Sequence, residues 1–136
     1  RSTLFPYTTL FRSEYIDNHQ QNFKFFSGDR DYLWNFDLDK FKKNPSNYES
    51  GLIEIDDLYV VQVFSKEAWG IKYEQLILQS FNGNDTFYIF AYGSTDITEG
   101  DQVDICIMPI DYTTYKNVNN NDVWATFGVL SAYRFN

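Results

Sequence analysis

Residues 87–133 decide the fold of this chain, and they read FYIFAYGSTDITEGDQVDICIMPIDYTTYKNVNNNDVWATFGVLSAY. Every second residue from Val103 to Ile107 is apolar, which is the period-two pattern of a strand with one face in a core. Aromatic and β-branched runs at 87–92 and 123–130 flank this strand. We therefore predict three strands of one small antiparallel barrel or sheet.

Composition bounds the size of the domain and its partners. The chain has 136 residues, which suffices for one domain with a real core but not comfortably for two. Aromatic residues make up 20 % of it, so few residues can bury much surface. The formal net charge is −8. Because nucleic-acid affinity depends largely on Lys and Arg, this charge disfavours a nucleic-acid partner and suits a neutral or basic one.

Reactive side chains are scarce in this sequence. Cys106 is the single cysteine, which excludes an internal disulfide and a multi-cysteine metal site. Its alternation with Ile105 and Ile107 predicts a half-buried structural thiol rather than a reactive one. His19 could be a metal ligand or general base, but it has no histidine or cysteine partner nearby, which favours a solvated side chain. We predict no metal and no cofactor.

The first residues do not look native. Residues 3–13, TLFPYTTLFRS, match the translation of a common sequencing adapter at every position. We therefore set residues 1–13 aside as non-native and expect that the authentic start of the gene is missing. Residues 14–35 show no clear period, and we expect a poorly ordered flank. No run is long and apolar enough to cross a bilayer, and no secretory signal is visible.

A short helix is predicted next. The apolar residues from Trp34 to Phe41 recur at helical spacing, and Asp37 can cap the N-terminus. The pair Asn44-Pro45 ends the helix. We expect its apolar face to plug one end of the sheet.

The region before residue 87 adds two strands. Residues 52–64 predict a long strand or a bent pair of strands, with a bulge or kink at Asp56-Asp57. Residues 65–72 are interpreted as a loop, residues 73–81 as the second strand, and the segment that begins Asn82-Gly83 as a hairpin turn. The side chains that we assign to one face of the first strand are Ile53, Ile55, Tyr59, Val61 and Val63.

Two short features have both a functional and a structural interpretation. Asp56 and Asp57 could be a catalytic dyad or a cation site, but adjacent strand residues point to opposite faces, which favours a solvated bend. The Asn119–Asp122 run offers oxygen ligands for calcium, yet its spacing matches no EF-hand and a plain loop is the better interpretation. Gly128 within the last strand indicates a bulge or a barrel corner.

Four segments resemble one known family. Residues 41–51 (FKKNPSNYESG) and 59–63 (YVVQV) resemble the helix, Asn-Pro-x-x-Tyr-x-Gly turn and first strand of the tRNA-anticodon-binding-like OB domains. Residues 100–105 (GDQVDI) and 112–118 (YTTYKNV) are similar to the fourth strand and following loop of the same family. These domains are accessory modules in envelope and secreted proteins of low-GC Gram-positive bacteria.

The resemblance spans about residues 36–133 and agrees with five strands counted in order. Together they predict a mainly β fold, a five-stranded Greek-key OB-like barrel with a short N-terminal helix, over residues 36–136. Two positions depart from the family pattern: Ser50 is an extra residue in the turn, and Ile107 stands where a glycine is usual. The resemblance implies an extracellular or cell-envelope location and does not imply tRNA binding.

An OB barrel binds its ligands with strands two and three and with the loops that join strands 1–2 and 4–5. On this chain those loops are residues 65–72 and 109–122, and Tyr88, Phe90 and Tyr92 share one face of the third strand. The aromatic rings could stack on bases or sugars, or they could be a packed core face between two solvated loop tips. The candidate ligand-binding residues are Lys66, Trp69, Tyr88, Tyr92, Tyr112, Tyr115 and Lys116.

The sequence contains no Gly-rich phosphate loop, no Gly-x-Ser-x-Gly and no His-x-Glu motif. We therefore predict a non-enzymatic OB-type binding or interaction module of a bacterial envelope or secreted protein, with a protein or glycan partner. The alternative is single-stranded nucleic-acid binding through the aromatic face. Hydrolysis at the Asp56-Asp57 bend is a third and weaker hypothesis. The sequence defines neither the ligand nor the oligomeric state.

Overall fold

The computed structural model describes residues 36–48 and 51–136. The adapter-like segment, the predicted flank, His19 and Trp34 lie outside these ranges. Within them, none of the helices has the length and apolar character needed to span a bilayer.

Five strands form one closed barrel. They are β1 (Ile53–Ala68), β2 (Ile71–Ser80), β3 (Thr86–Tyr92), β4 (Gln102–Lys116) and β5 (Asp122–Phe135). Around the barrel the order is β1-β2-β3-β5-β4, and β4 pairs back with β1. The β3–β5 pair is parallel, and the other four pairs are antiparallel. The fold is thus mainly β, with a closed, OB-like five-stranded barrel, and the prediction of fold class is confirmed.

The barrel interior is built from the period-two pattern of the strands. Val103, Ile105 and Ile107 are fully buried, as their alternation predicts. On β3 the buried residues are Phe87, Ile89 and Ala91. Burying a large apolar side chain contributes about 1.5–3 kcal/mol, so these inward faces hold the barrel together. Further members of the same core cluster are Leu58, Val60, Leu76, Leu78, Leu130 and Tyr133.

The opposite face of β4 is buried as well, contrary to expectation. Cys106 is fully buried in a second cluster with Leu52 and Ala132, and Asp104 is only 4 % exposed. The prediction of a half-buried thiol is wrong because it assumed that water covers one face of the strand. Leu52, which immediately precedes β1, supplies part of the cover instead.

Two irregularities turn the side chains of β1. The pairing register shifts at Asp56-Asp57, where Asp57 has a φ of 60°, and it shifts again at Val61. The predicted bulge is therefore confirmed. An extra residue moves all following side chains to the other face. As a result Leu58 and Val60 are buried and Tyr59 is 44 % exposed. The prediction that Tyr59 shares one face of the strand with Ile53 and Ile55 is therefore wrong.

Both segments predicted as ligand loops are mostly strand. β1 and β2 continue through residues 65–72 and are joined by the Trp69-Gly70 turn, whose φ angles are 50° and 76°. Two positive φ values are typical of a tight hairpin turn. β4 and β5 likewise continue to a turn at residues 117–121. These loop predictions are wrong because an exposed β-ribbon and a loop have similar compositions. The predicted hairpin turn at residues 82–85 is confirmed.

The predicted helix, α1, spans Leu38–Lys43. The Asp37 side chain accepts a hydrogen bond from the Lys40 N–H at 3.2 Å, so Asp37 is the N-cap, as predicted. The helix ends at Lys43 with Asn44 as its C-cap, and a short 3-10 turn, Pro45–Tyr48, follows.

Three aromatic rings hold α1 in place. Phe41 is fully buried, and its ring centroid lies 5.7 Å from that of Phe36 and 5.9 Å from that of Tyr48. Phe36 also packs against the core cluster of the barrel. In addition, Lys42 Nζ lies 2.7 Å from Asp85 Oδ1, which ties the helix to the β2–β3 turn. The helix is therefore an integral part of the domain.

Gly128 lies in close contact with β4. A Cβ atom at this position would lie 2.8 Å from Ile107 Cδ1 and 3.0 Å from the Met108 carbonyl oxygen. The bulge that Gly128 predicts lies in its partner strand, where the β4–β5 register shifts between Pro109 and Asp111. Glycine is thus required here by close approach.

Gly128→Ala is expected to lower the free energy of unfolding by about 1–3 kcal/mol, because the added methyl group overpacks a tight contact. Urea denaturation measures the loss. Ile107→Val removes the Cδ1 atom nearest to the new methyl group, so the double variant should lose less stability than the sum of the two single variants. Additive losses would show that the contact with Ile107 does not cause the destabilisation.

Candidate functional site

The distal parts of β4 and β5, which pair with each other but not with β1 or β3, form a two-stranded arm, residues 111–125. It leaves the barrel where the pairing register shifts between Pro109 and Asp111, and such bulges bend a strand. The Tyr115 ring on the arm lies 4.9 Å from the Tyr88 ring on β3. The arm therefore folds back over the outer face of the barrel, and a groove runs between them.

The larger part of the groove has a volume of about 560 Å³, which is in the range of ligand pockets. Its barrel side consists of outward-facing residues of β2 and β3, which alternate with the buried core residues. Its other side is the arm. The lining residues are Gln75, Tyr88, Phe90, Ile110, Asp111, Thr113, Thr114, Tyr115, Phe127 and Gly128.

A smaller cavity of about 160 Å³ adjoins the first. Both are lined by Gln75, Tyr88 and Tyr115, so these three residues mark the junction between them. The smaller cavity lies toward β1 and the turn at the end of the arm. Its remaining lining residues are Gln62, Phe64, Lys66, Ile77, Lys116, Asn117 and Val118.

Aromatic rings from three strands meet in the groove. Tyr88 and Phe127 lie on the paired strands β3 and β5 and stack at 4.9 Å with an interplanar angle of 11°. Tyr115 meets the Tyr88 ring edge-on, at 75°. Beside this cluster Phe90 stacks on Tyr73 at 4.8 Å. Such contacts contribute about 0.5–1.5 kcal/mol each beyond area burial, so the rings form a preorganised surface.

Both groove tyrosines keep their protons at neutral pH. Burial raises the pKa of Tyr88, and the neighbouring Tyr73 adds to the effect. Burial also raises the pKa of Tyr115, with a further contribution from Tyr88. A protonated phenol can both donate and accept a hydrogen bond. The junction of the two cavities therefore offers uncharged polar groups beside aromatic rings.

Charged side chains lie on either side of this junction. Asp111 lines the larger cavity, and Lys66 and Lys116 line the smaller one. Lys116 Nζ lies 2.8 Å from Asp122 Oδ1, so its charge is already paired. The centre of the groove is uncharged even though the chain has a net charge of −8.

Four of the seven predicted ligand-binding residues come together in the groove, namely Lys66, Tyr88, Tyr115 and Lys116. Tyr92 lies next to it, with its ring 4.8 Å from that of Phe90.

The other two predicted residues lie elsewhere. Trp69 is fully exposed at the tip of the β1–β2 hairpin. Tyr112 lies on the opposite face of the arm, because it is three positions from Tyr115 and residues an odd number of positions apart point to opposite faces of a strand. There it stacks on Trp124 at 5.2 Å, and Lys42 Nζ lies 5.3 Å from its ring centroid.

Sequence reasoning missed Phe127 and Gln75. Phe127 meets Tyr88 only because β5 pairs in parallel with β3, and no local pattern reveals that pairing. Gln75 could have been found, because it alternates with Glu74 and Leu76, which are buried. That alternation places it on the same outer face as Tyr88.

The acidic pair at the β1 bulge belongs to a structural cluster outside the groove. The Asp57 N–H donates to Asp104 Oδ1 at 2.9 Å, and the Arg134 Nε–H donates to Asp104 Oδ2 at 3.1 Å. Burial alone would raise the pKa of Asp104, but the hydrogen bonds with Asp57, Arg134 and Asn136, together with the charge of Arg134, outweigh it and hold the pKa below its usual value. This cluster anchors the bulge to β4 and β5.

The asparagine-rich turn is stabilised by hydrogen bonds to one of its own side-chain oxygen atoms. Asn117 Oδ1 accepts hydrogen bonds from the N–H groups of Asn119 and Asn121, both at 3.0 Å. Asn120 has a φ of 62°. These contacts stabilise the turn that ends the arm and places Asn117 beside the groove.

Fold and groove together define a class: small OB-like barrels with an aromatic groove on the outer face of strands β2 and β3. No protein-family model matches the chain, and no curated protein matches it either. The resemblance to the tRNA-anticodon-binding-like OB domains therefore stays a prediction.

Proposed function

We propose that this chain is a non-enzymatic OB-type binding module whose ligand lies in the groove between the arm and the outer face of β2 and β3. The observation that carries the proposal is the convergence of Tyr88, Tyr115 and Phe127, from three strands, on one cavity of about 560 Å³. Aromatic rings that stay partly exposed contribute binding energy when a ligand covers them.

The lining groups suit binding rather than reaction. Among the described residues that line the groove, the charged groups are the carboxylate of Asp111 and the ammonium groups of Lys66 and Lys116. Acid–base catalysis requires tuned proton donors and acceptors placed at the reacting atoms. Stacking and hydrogen bonding need only the rings, amides and hydroxyls that dominate here.

The partner is a protein or a glycan, and the compartment is the cell envelope or the extracellular space. The family resemblance supports the compartment, and the acidic charge supports a partner that is not itself acidic. Single-stranded nucleic acid is the alternative, favoured by the rings and by Lys66 beside them.

Shift mapping by NMR with three probe classes tests the proposal. The probes are uncharged hexasaccharides, an unstructured dodecapeptide mixture and an oligothymidylate. Each is added to the full chain at up to about 1 mM, so that binding with a Kd as weak as about 1 mM is detected. We expect at least one class to shift the backbone amides of Tyr88, Tyr115 and Phe127. The Trp69-Gly70 turn is the internal control and should not shift. If no class perturbs the groove, the chain is not a groove-binding module.

A further inference from the structure

The groove has a charge distribution that limits which ligand it fits. At its junction the lining residues are Gln75, Tyr88 and Tyr115, all uncharged. One side carries a negative group, Asp111, and the other carries Lys66. A ligand with a uniform negative charge would be repelled by the carboxylate of Asp111 and by the net negative charge of the chain.

Nucleic acid fits this distribution poorly. Its affinity requires several cationic groups along the path of the phosphates, because most of the free energy comes from released counterions. Lys66 and Lys116 are the cationic groups among the described lining residues, and Lys116 already pairs with Asp122. The aromatic rings alone would leave the phosphates uncompensated.

An extended peptide has no free strand edge to join on the floor of the groove. Peptides that bind by strand addition pair their backbone with a free strand edge. The floor of the groove is the outer face of β2 and β3, and both strands are already paired on their two sides. A peptide lying across this face would find ring surfaces but no backbone ladder to satisfy its N–H and C=O groups.

A neutral sugar chain matches both properties of the groove. A pyranose ring has an apolar face that can pack on an aromatic ring and a rim of hydroxyl groups that need uncharged hydrogen-bond partners. The cluster of Tyr88, Phe127 and Tyr115 supplies the apolar contact. Gln75 and Thr113 supply an amide and a hydroxyl at the same cavity.

We infer that the ligand class of the groove is an uncharged glycan, whose sugar rings pack on the aromatic cluster while Gln75 and the tyrosine hydroxyls bind their hydroxyl groups. This inference rests on the proposed function and narrows it to one class of ligand.

Calorimetric titration of the full chain tests the inference. The probes are hexasaccharides of β-1,4-linked glucose and of β-1,4-linked N-acetylglucosamine, with a hexamer of galacturonic acid as the charged counterpart. We expect an uncharged hexamer to bind in the groove and the uronate to bind at least about tenfold more weakly, because of the acidic field. The affinity of the uncharged hexamer should stay constant between about 50 and 200 mM salt.

Tyr115→Ala should weaken the binding of that hexamer about tenfold, because it removes a ring that packs against the sugar. Phe81→Ala is the matched control: Phe81 is 64 % exposed at the β2–β3 turn, and its loss should leave the affinity unchanged. Shift mapping of the unaltered chain provides a second readout that does not depend on the fold of the variant.

The outcomes separate the two proposals. Binding of the peptide or oligothymidylate in the groove without binding of any uncharged sugar would overturn the glycan inference and leave the binding module standing. Preference for the uronate, or a sugar affinity that falls steeply with salt, would also overturn the inference. Failure of every probe would overturn the module itself.

Discussion

Replacing Arg134 by methionine is expected to lower the free energy of unfolding by about 3 kcal/mol, near the lower end for broken buried ion pairs. Arg134 donates two hydrogen bonds to Asp104, whose side chain is only 6 % exposed. Without the guanidinium, the carboxylate of Asp104 stays buried and loses its cationic partner, while its hydrogen bonds with the Asp57 N–H and the Asn136 side chain remain. Urea denaturation at pH 7 measures the loss.

The matched control is Lys116→Met, which breaks the ion pair with Asp122. Both partners of that pair are about 60 % exposed, so the expected loss is at most about 1 kcal/mol. Equal losses for Arg134→Met and Lys116→Met would show that the burial of Asp104 does not matter.

The pH dependence gives a second check on the same pair. The pKa of Asp104 is lowered in the folded chain, so its contribution to stability is present above the ordinary pKa of a carboxyl group, about 3.9, and is lost as the pH falls through the folded value. The difference in the free energy of unfolding between the parent chain and Arg134→Met should therefore be largest at neutral pH and become smaller in acid. A difference that does not vary with pH would indicate lost packing only.

Phe41→Ala is the second variant with a large expected effect, and it should lower the free energy of unfolding by about 3–5 kcal/mol. Phe41 is fully buried between Phe36 and Tyr48, and these rings hold α1 against the core of the barrel. Truncation leaves a cavity that the short helix has few ways to fill. Thermal and urea denaturation measure the loss.

Phe81→Ala provides the control with the same chemical change, because Phe81 is 64 % exposed. Its expected effect is within about 0.5 kcal/mol. If Phe41→Ala were as mild as Phe81→Ala, then α1 would contribute little to the stability of the barrel.

Local sequence patterns predict most of the fold. The alternation at Val103–Ile107, the Asn82-Gly83 turn and the cap at Asp37 each depend on a few neighbouring residues, and the structure shows all three as predicted. In each case the physical cause is local: strand period, turn conformation or a hydrogen bond within one helical turn.

What escaped sequence reasoning depends on long-range pairing. The bulge at Val61 reverses the face of β1 without a Gly or Pro to mark it. The arm looked like a loop because its side chains are polar and aromatic on both faces. The contact between Tyr88 and Phe127 joins residues that are distant in sequence, so only the strand order of the closed barrel reveals that half of the candidate site.

The parallel contact between β3 and β5 has a consequence for how the site comes into being. Only four residue pairs, from Phe87–Thr126 to Phe90–Val129, join these strands, and they close a loop of more than 30 residues that contains all of β4. Closing a loop of this length costs conformational entropy, so we expect this pairing to form after the local β1–β2 and β2–β3 hairpins. Because Tyr88 and Phe127 stack across this pairing, a chain that has not completed its barrel lacks the aromatic groove. A ligand that binds only the complete groove would therefore stabilise the pairing of β3 with β5.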